Sequence, residues 1–530
     1  SQCAGLRATV SRNRYAKSMS KHIPPSLTLL HERMAAINDV LNASSVLVWD
    51  SRTMMPGGGV QTRGQQIATL TGVALDMLLS PKTHAALETA EAAMEVREPD
   101  DTTQRLLLQV RQAIEHHRRI PVELTQRRTG LRSVAQAAWV QARERNDYSL
   151  FAPYLEQTIA LAREYADCAG WSEHPYDAMV ALYEPGETAA SLRRLFSRLR
   201  AGILPILAQA QARPTARRDF LFCNYPESAQ ATYCQQLARR LGYDLQRGRL
   251  DKTVHPFEVS FTRQDVRITT RYTPDYLPAS VFGTAHETGH AMYEQGVDPS
   301  YTRGVFATDL IGLYAVGGTS FGAHESQSRL WENHVVRNPD FWRLHFSELQ
   351  RHFVQQLGDV SPADFYRAVT HVEPGLIRVE ADELTYDMHV MLRVEIECAL
   401  MDGTLQVKDL PAVWNETLKR DLGVVVSDDS RGVLQDIHWS VGYVGSFPSY
   451  TIGNVMAAQL MDHLQTASPS LVSAMKRGEY TQLADALRQQ VWQHGRRYGR
   501  DELLIRSTGR ALDIAPYLAY LDKKYARGEV

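Results

Sequence analysis

Cysteine is scarce in this chain. The five residues in 530, Cys3, Cys168, Cys223, Cys234 and Cys398, are scattered, odd in number and without a CxxC pair. That speaks against a disulfide framework and against a thiolate zinc site, and it fits buried structural thiols in a reducing compartment. Long hydrophobic runs are missing as well: no stretch approaches the roughly 18 apolar residues a membrane span needs. Nor is there an excess of one charge. With 58 basic against 60 acidic side chains the formal net charge is −2, which gives no electrostatic reason to expect a nucleic acid or a membrane surface as partner. Repeats and low-complexity segments are absent. What is present is ordinary for a folded globular protein, 44% hydrophobic and 22% charged residues, in a chain long enough for a large core and more than one lobe.

Residues 1–22 stand apart as an N-terminal extension. They carry Arg7, Arg12, Arg14, Lys17 and Lys21 with no acidic residue and four serines, a composition that resembles an organellar transit peptide. The simpler reading makes Met19 the true start and the preceding residues upstream or cloning-derived sequence. A cytoplasmic location is expected, with organellar import left open by this segment. Residues 23–530 read as a single catalytic unit with two lobes around a groove.

Helical periodicity dominates that unit. Leu192, Leu195, Phe196, Leu199 and Ile203 recur at helix spacing, and Pro205 marks a kink or a boundary. Similar amphipathic stretches fall at 33–48, 104–119, 133–145, 154–168, 229–241, 381–400 and 481–495, separated by breaks such as Pro56-Gly57-Gly58-Gly59. The class is therefore mostly α. One region differs: between Val259 and Tyr272 apolar and polar residues alternate with period two across a polar turn, which predicts a small antiparallel hairpin. Such a hairpin could present an edge strand to an extended peptide.

Just beyond it, Ala285–Gln295 reads as a helix closed by Gly296. It carries His286-Glu287-Thr288-Gly289-His290. Two histidines four residues apart share one helix face, about 6 Å apart along the axis, and can direct a nitrogen each at one zinc ion. Glu287 is one position round from His286, within reach of a water activated at the metal without being a ligand itself. Three fixed positions are too few to identify a site alone, because a helix with solvated histidines and a surface glutamate would match them too. A catalytic zinc needs a third protein ligand and an open fourth position. Glu325, in His324-Glu325-Ser326 at the start of another apparent helix, is the candidate. Glu294 is the rival, but one turn beyond His290 on the same helix it is better placed to orient a ligand from behind.

With these residues in view, the chain resembles the carboxypeptidase Taq family of thermostable HExxH metallocarboxypeptidases. The resemblance rests also on His255-Pro256-Phe257, on Asp265-Val266-Arg267-Ile268-Thr269, and on His324-Glu325-Ser326-Gln327-Ser328. Ile377-Arg378 with Ala381-Asp382, and Gly432 with Gln435-Asp436 and His438-Trp439, extend it further. Outside the site, Val48-Trp49-Asp50 with Met55-Pro56-Gly57 and His174-Pro175-Tyr176-Asp177 with Tyr183-Glu184-Pro185-Gly186 match as well, so that residues 27–525 are covered. The resemblance implies an almost all-α, saddle-like fold with a deep groove and a small sheet near the metal, similar to angiotensin-converting enzyme and neurolysin. It further implies zinc, with cobalt as a common substitute, a homodimer, and removal of single C-terminal residues from peptides with broad specificity. On this chain it makes His286, His290 and Glu325 the zinc ligands and Glu287 the general base and acid. For the substrate's terminal carboxylate Arg378 is favoured, with Arg267 and His255 closing one end of the groove; each arginine also reads as a structural ion pair. His438 and Tyr450 match positions near the scissile carbonyl, where either could donate to the oxyanion or simply be a buried, hydrogen-bonded side chain.

Two features depart from the family pattern. The 39-residue interval from His286 to Glu325 is longer than the resemblance implies, and the extra length falls near Phe306–Gly322, a stretch suited to a lid or an added turn. Ser446 stands where a tyrosine is expected. Three rival functions also follow from the sequence. Gly318-Thr319-Ser320-Phe321-Gly322 matches the GxSxG of serine hydrolases but lacks the alternating strand–helix order that motif requires. A zinc endopeptidase or peptidyl-dipeptidase would share the chemistry, and a silent peptide-binding protein would share the fold.

Overall fold

The computed structural model describes residues 25–94 and 102–528; the extension 1–22 and Cys3 lie outside them. Helices dominate the structure and, among the described residues, build its three largest apolar cores. The N-terminal helices Pro25–Thr53, Val60–Leu79, Pro81–Ala92 and Thr102–Arg119 enclose one of them. A second is built from the helices Val122–Arg145, Ala152–Ala169, Ala189–Gln211 and Glu383–Asp402, and the third from Glu227–Leu241, Leu277–Gly296 and Pro339–His352. Helix Pro448–Ala467 is a spine between the last two. Its Ile452, Val455 and Ala458 enter one core, and Met456, Ala457, Leu460, Met461 and Leu464 enter the other. A helix apolar on both sides is one buried from both sides.

The expected amphipathic stretches are all helical, with shifts at their ends. The stretch at 381–400 becomes Glu383–Asp402, because Asp382 caps it by accepting from the Leu384 and Thr385 amides. The stretch at 481–495 ends earlier, at Gln490, and tightens into a 3-10 turn at Trp492–His494. Pro205 does not end its helix, which continues to Gln211. The carbonyl that proline leaves unpaired, that of Ala201, belongs to an exposed residue, so water can satisfy it.

The hairpin is present as β2 (Glu258–Thr262) and β3 (Asp265–Thr270), and a three-residue strand β1 (Leu250–Lys252), not evident from the sequence, joins β3 in parallel. Sheet order is β1-β3-β2, with Val259 opposite Arg267 and Ser260 opposite Val266. Alternation sorts the faces. Val266 and Ile268 pack on Ala291 of helix Leu277–Gly296, whereas Arg267 points the other way, its guanidinium 4.5 Å from the Trp49 ring centroid and 4.8 Å from that of Phe261.

The long interval between the candidate ligands forms a tight turn packed against the N-terminal core. Val305, Phe306, Leu310 and Ala315 enter the N-terminal core, and a tight turn between Asp309 and Tyr314 is closed by backbone bonds of 2.7 and 3.0 Å. The four described cysteines are free thiols; Cys234 and Cys398 are buried as expected, while Cys168 and Cys223 are only half-buried. Among the described residues no helix is long and apolar enough to cross a membrane.

Candidate metal centre

Helix Leu277–Gly296 opens with Pro278 in its first turn and buries nearly every side chain. Helix Phe321–Arg329 begins where Ser320 accepts from the Ala323 amide, so the GxSxG serine is a helix cap. The two helices meet at a glycine of the HETGH segment: a Cβ on Gly289 would lie 2.6 Å from Ser328 Cα, an overlap no residue but glycine avoids. On the other side Gly453 of the spine helix plays the same part, since its Cβ would lie 2.7 Å from Glu325 Cβ. Glu325 is thereby pressed towards the histidines.

His286, His290 and Glu325 bring one ligand atom each to within 4.8 Å of the others. The Glu325 Oε2 atom is 3.5 Å from His286 Nε2 and 3.3 Å from His290 Nε2. Ligands about 2.1 Å from a common tetrahedral zinc are themselves roughly 3.4 Å apart, so the donor set and its spacing fit that ion. Glu325 Oε1 is taken by Arg329 Nε at 2.8 Å, which leaves one oxygen for a metal. Helix Phe321–Arg329 continues as a π-helix over Leu330–Val336, a form that recurs at functional sites. It carries Glu332, whose Oε2 is 2.9 Å from His286 Nδ1 and whose carboxylate also pairs with Arg329 and Arg337.

Electrostatics separate the two histidines. Burial works against a charged His286, but the Glu325 and Glu332 carboxylates outweigh it and lift the imidazole to about 10. In His290 burial prevails and pulls it down to about 3. Burial also pushes the Glu287 carboxyl up to about 7. Glu294 is fully buried and does not reach toward the ligand set. Its carboxylate accepts from Arg263 Nη1 at 2.6 Å, from the Gly317 and Gly318 amides and from Ser260 Oγ, and it contacts His324.

Arg378, His438 and Tyr450 form a second cluster. Arg378 spends three N–H groups on protein partners, two on Asp436 and one on the Tyr386 hydroxyl. Asp436 is shared with Arg393. His438 Nε2 is 3.1 Å from the Tyr450 hydroxyl, and burial pulls this imidazole down to about 3. Tyr450 lies 5.0 Å, centroid to guanidinium, from Arg378. The two clusters meet at Tyr386, whose ring is 4.6 Å from the Arg329 guanidinium. Arg267 and His255 are not part of either contact network. Arg267 is held by Asp265 through bonds of 2.9 and 2.8 Å, and His255 stands exposed in the loop between β1 and β2. Sequence reasoning missed Arg329, Glu332 and the part His324 plays. The signal was the spacing of Glu325, Arg329 and Glu332, which shares one helical face.

A mostly helical protein whose HExxH histidines converge on a downstream glutamate has the architecture of a metallopeptidase. The family model for "Carboxypeptidase Taq (M32) metallopeptidase" matches residues 29–525, and the chain belongs to that family. It is 40% identical over 494 residues to thermostable carboxypeptidase 1 of Thermus thermophilus, covering 91% of this chain and 94% of that protein. It is 35% identical over 493 residues to carboxypeptidase 1 of Bacillus subtilis, covering 92% and 96%. The crystal structure of the M32 carboxypeptidase from Deinococcus radiodurans R1 superposes with a TM-score of 0.90 at 36% identity, over 95% of this chain and 99% of that one. The protein is thus a peptide hydrolase of the metallocarboxypeptidase class, dependent on a metal ion and acting on peptides.

Proposed function

We propose that the chain removes single residues from the C-terminus of peptides with broad specificity, using one zinc ion held by His286, His290 and Glu325, with cobalt able to substitute. The observation that carries this reading is the spacing of the three donor atoms beside a buried carboxyl, Glu287, that can both take and return a proton near neutrality. When bound, zinc supplies Lewis acidity, polarising the scissile carbonyl and making water a better nucleophile. Glu287 takes the proton of the attacking water and delivers it to the departing amine. Tyr450 or neutral His438 donates to the oxygen that gains charge. Arg378, in a cluster where two guanidiniums share the Asp436 carboxylate, binds the terminal carboxylate through its remaining N–H groups. Arg267 and His255 shape the closed end of the groove, and β2, an edge strand, pairs with the extended substrate.

Residues 23–530 act as one catalytic unit whose two large cores are the lobes. A homodimer and a cytoplasmic location complete the proposal. Incubation with mixed peptides, with and without chelator, tests the reading by mass spectrometry. Ladders trimmed one residue at a time from the C-terminus, abolished by chelator, are expected. Internal cleavage, or equal turnover of C-terminally amidated peptides, would assign the chain to the endopeptidases.

A further inference from the structure

The two histidines of the metal helix are backed by different partners. Behind His286 stands a carboxylate, Glu332, at 2.9 Å from Nδ1, a usual arrangement for a metal-binding imidazole. Behind His290 stands another imidazole. Nδ1 of His290 meets Nδ1 of His324, with the ring centroids 4.6 Å apart, and His324 Nε2 is 3.0 Å from Glu294 Oε1. Glu258 Oε2 is a more distant 3.8 Å from the same nitrogen. The Tyr293 ring stacks on His324, centroids 5.3 Å apart and planes 28° from parallel, so the imidazole has little freedom to turn.

The sense of the hydrogen bonds follows from the far end. Glu294 is ion-paired with Arg263 and accepts from two backbone amides, so it is an acceptor towards His324. Nε2 of His324 must then carry its proton. In a neutral ring that leaves a lone pair on Nδ1, which can only accept from Nδ1–H of His290. His290 is thereby fixed as the tautomer whose Nε2 lone pair points at the ligand site, as a metal-binding imidazole requires. The chain also closes on itself: Glu294 lies one turn beyond His290 on the same helix, and His324 precedes Glu325 on the other. It therefore ties the two ligand-bearing helices together behind the centre.

The structure assigns His324 as a positioning residue that sets the tautomer and orientation of His290 through a His290–His324–Glu294 relay. The assignment rests on the zinc-site reading above. The test uses the zinc-loaded parent and variants and follows zinc loss to a chromogenic chelator, with zinc stoichiometry and thermal unfolding measured alongside. His324→Ala is expected to speed zinc loss about 10- to 100-fold. His324→Asn, which keeps an acceptor where Nδ1 was, is expected to restore most of the retention. His324→Gln replaces the Nε2 end and leaves His290 without its acceptor, and it is expected to behave like alanine. A folded His324→Ala protein that holds zinc like the parent overturns the assignment. Should the alanine variant fail to fold, equal rates for the asparagine and glutamine variants overturn it instead. A parent that binds no zinc contradicts the metal reading itself, an outcome distinct from either.

Discussion

Two buried clusters of charge adjoin through Tyr386 and differ in make-up, histidines set among paired ions in one and a carboxylate shared by two guanidiniums in the other. Around the histidines, the carboxylates of Glu287, Glu325 and Glu332 meet the guanidiniums of Arg329 and Arg337. Around Asp436, a single carboxylate serves both Arg378 and Arg393, beside a neutral His438. Buried charge without a partner is costly, and the proposed function adds one charged ligand to each cluster. The first would take the metal cation, the second the terminal carboxylate of a peptide. Placed side by side, the pair would hold a peptide with its last bond between them, which is how the proposed carboxypeptidase differs from a generic zinc peptidase.

The largest effect is expected from removing the proton carrier while leaving the cation site whole. Glu287→Gln should bind zinc at parental stoichiometry yet lose about 10³-fold or more in kcat; a variant that turns over like the parent would sink the mechanism. Next comes a pH effect beneath the cationic cluster. Glu397 is buried, accepts from Tyr176, Trp439 and Gly445, and burial lifts its carboxyl from 4.5 to about 7. A raised carboxyl binds its proton more tightly when folded. Its contribution is therefore full below pH 4.5 and is lost as pH rises to 7. Relative to Glu397→Gln, the parent should lose about 3 kcal/mol of stability across that window, read by urea unfolding at both ends. Parallel pH profiles for the two proteins would refute the shift.

Smaller again is the effect of Arg378→Lys, which keeps the charge but loses the planar fork. The value of kcat/KM on free-acid peptides should fall about 10²-fold, with the preference over amidated peptides shrinking in step. An unchanged preference would move the carboxylate site elsewhere. Gly289→Ala sharpens the first cluster alone. It forces the two ligand helices apart and should cost about 1–3 kcal/mol in unfolding free energy, with weaker zinc retention; parental values would mean the helices have slack that their contact does not show.

Much of this was legible in the chain itself. Helix class followed from apolar spacing, the hairpin from alternation at 259–272, and the metal candidates from HETGH with a glutamate downstream. What escaped the sequence shares one cause, dependence on partners distant in the chain. A three-residue strand such as Leu250–Lys252 carries too little pattern to be recognised, and it exists because β3 offers its edge. The stretch at 306–322, apolar and glycine-rich, looked suited to a lid or an added turn, and only the tertiary structure shows that its apolar residues have a core to enter beside the N-terminal helices. Arg267 sits in a family motif, but strand alternation turns it away from the metal helix.

The sequence by itself determined which residue types stand at helical spacing, and hence the candidate ligands, since local periodicity is written in the order of residues. Only the tertiary structure decided what stands behind each ligand. Glu332 reaches His286 and His324 reaches His290 across a helix pair that Gly289 and Gly453 allow to close, and a contact between elements far apart in the chain has no signature in local spacing. The charge balance of the two clusters was settled at the same level, because a carboxylate or guanidinium acquires its cost and its partner only when burial removes the water around it.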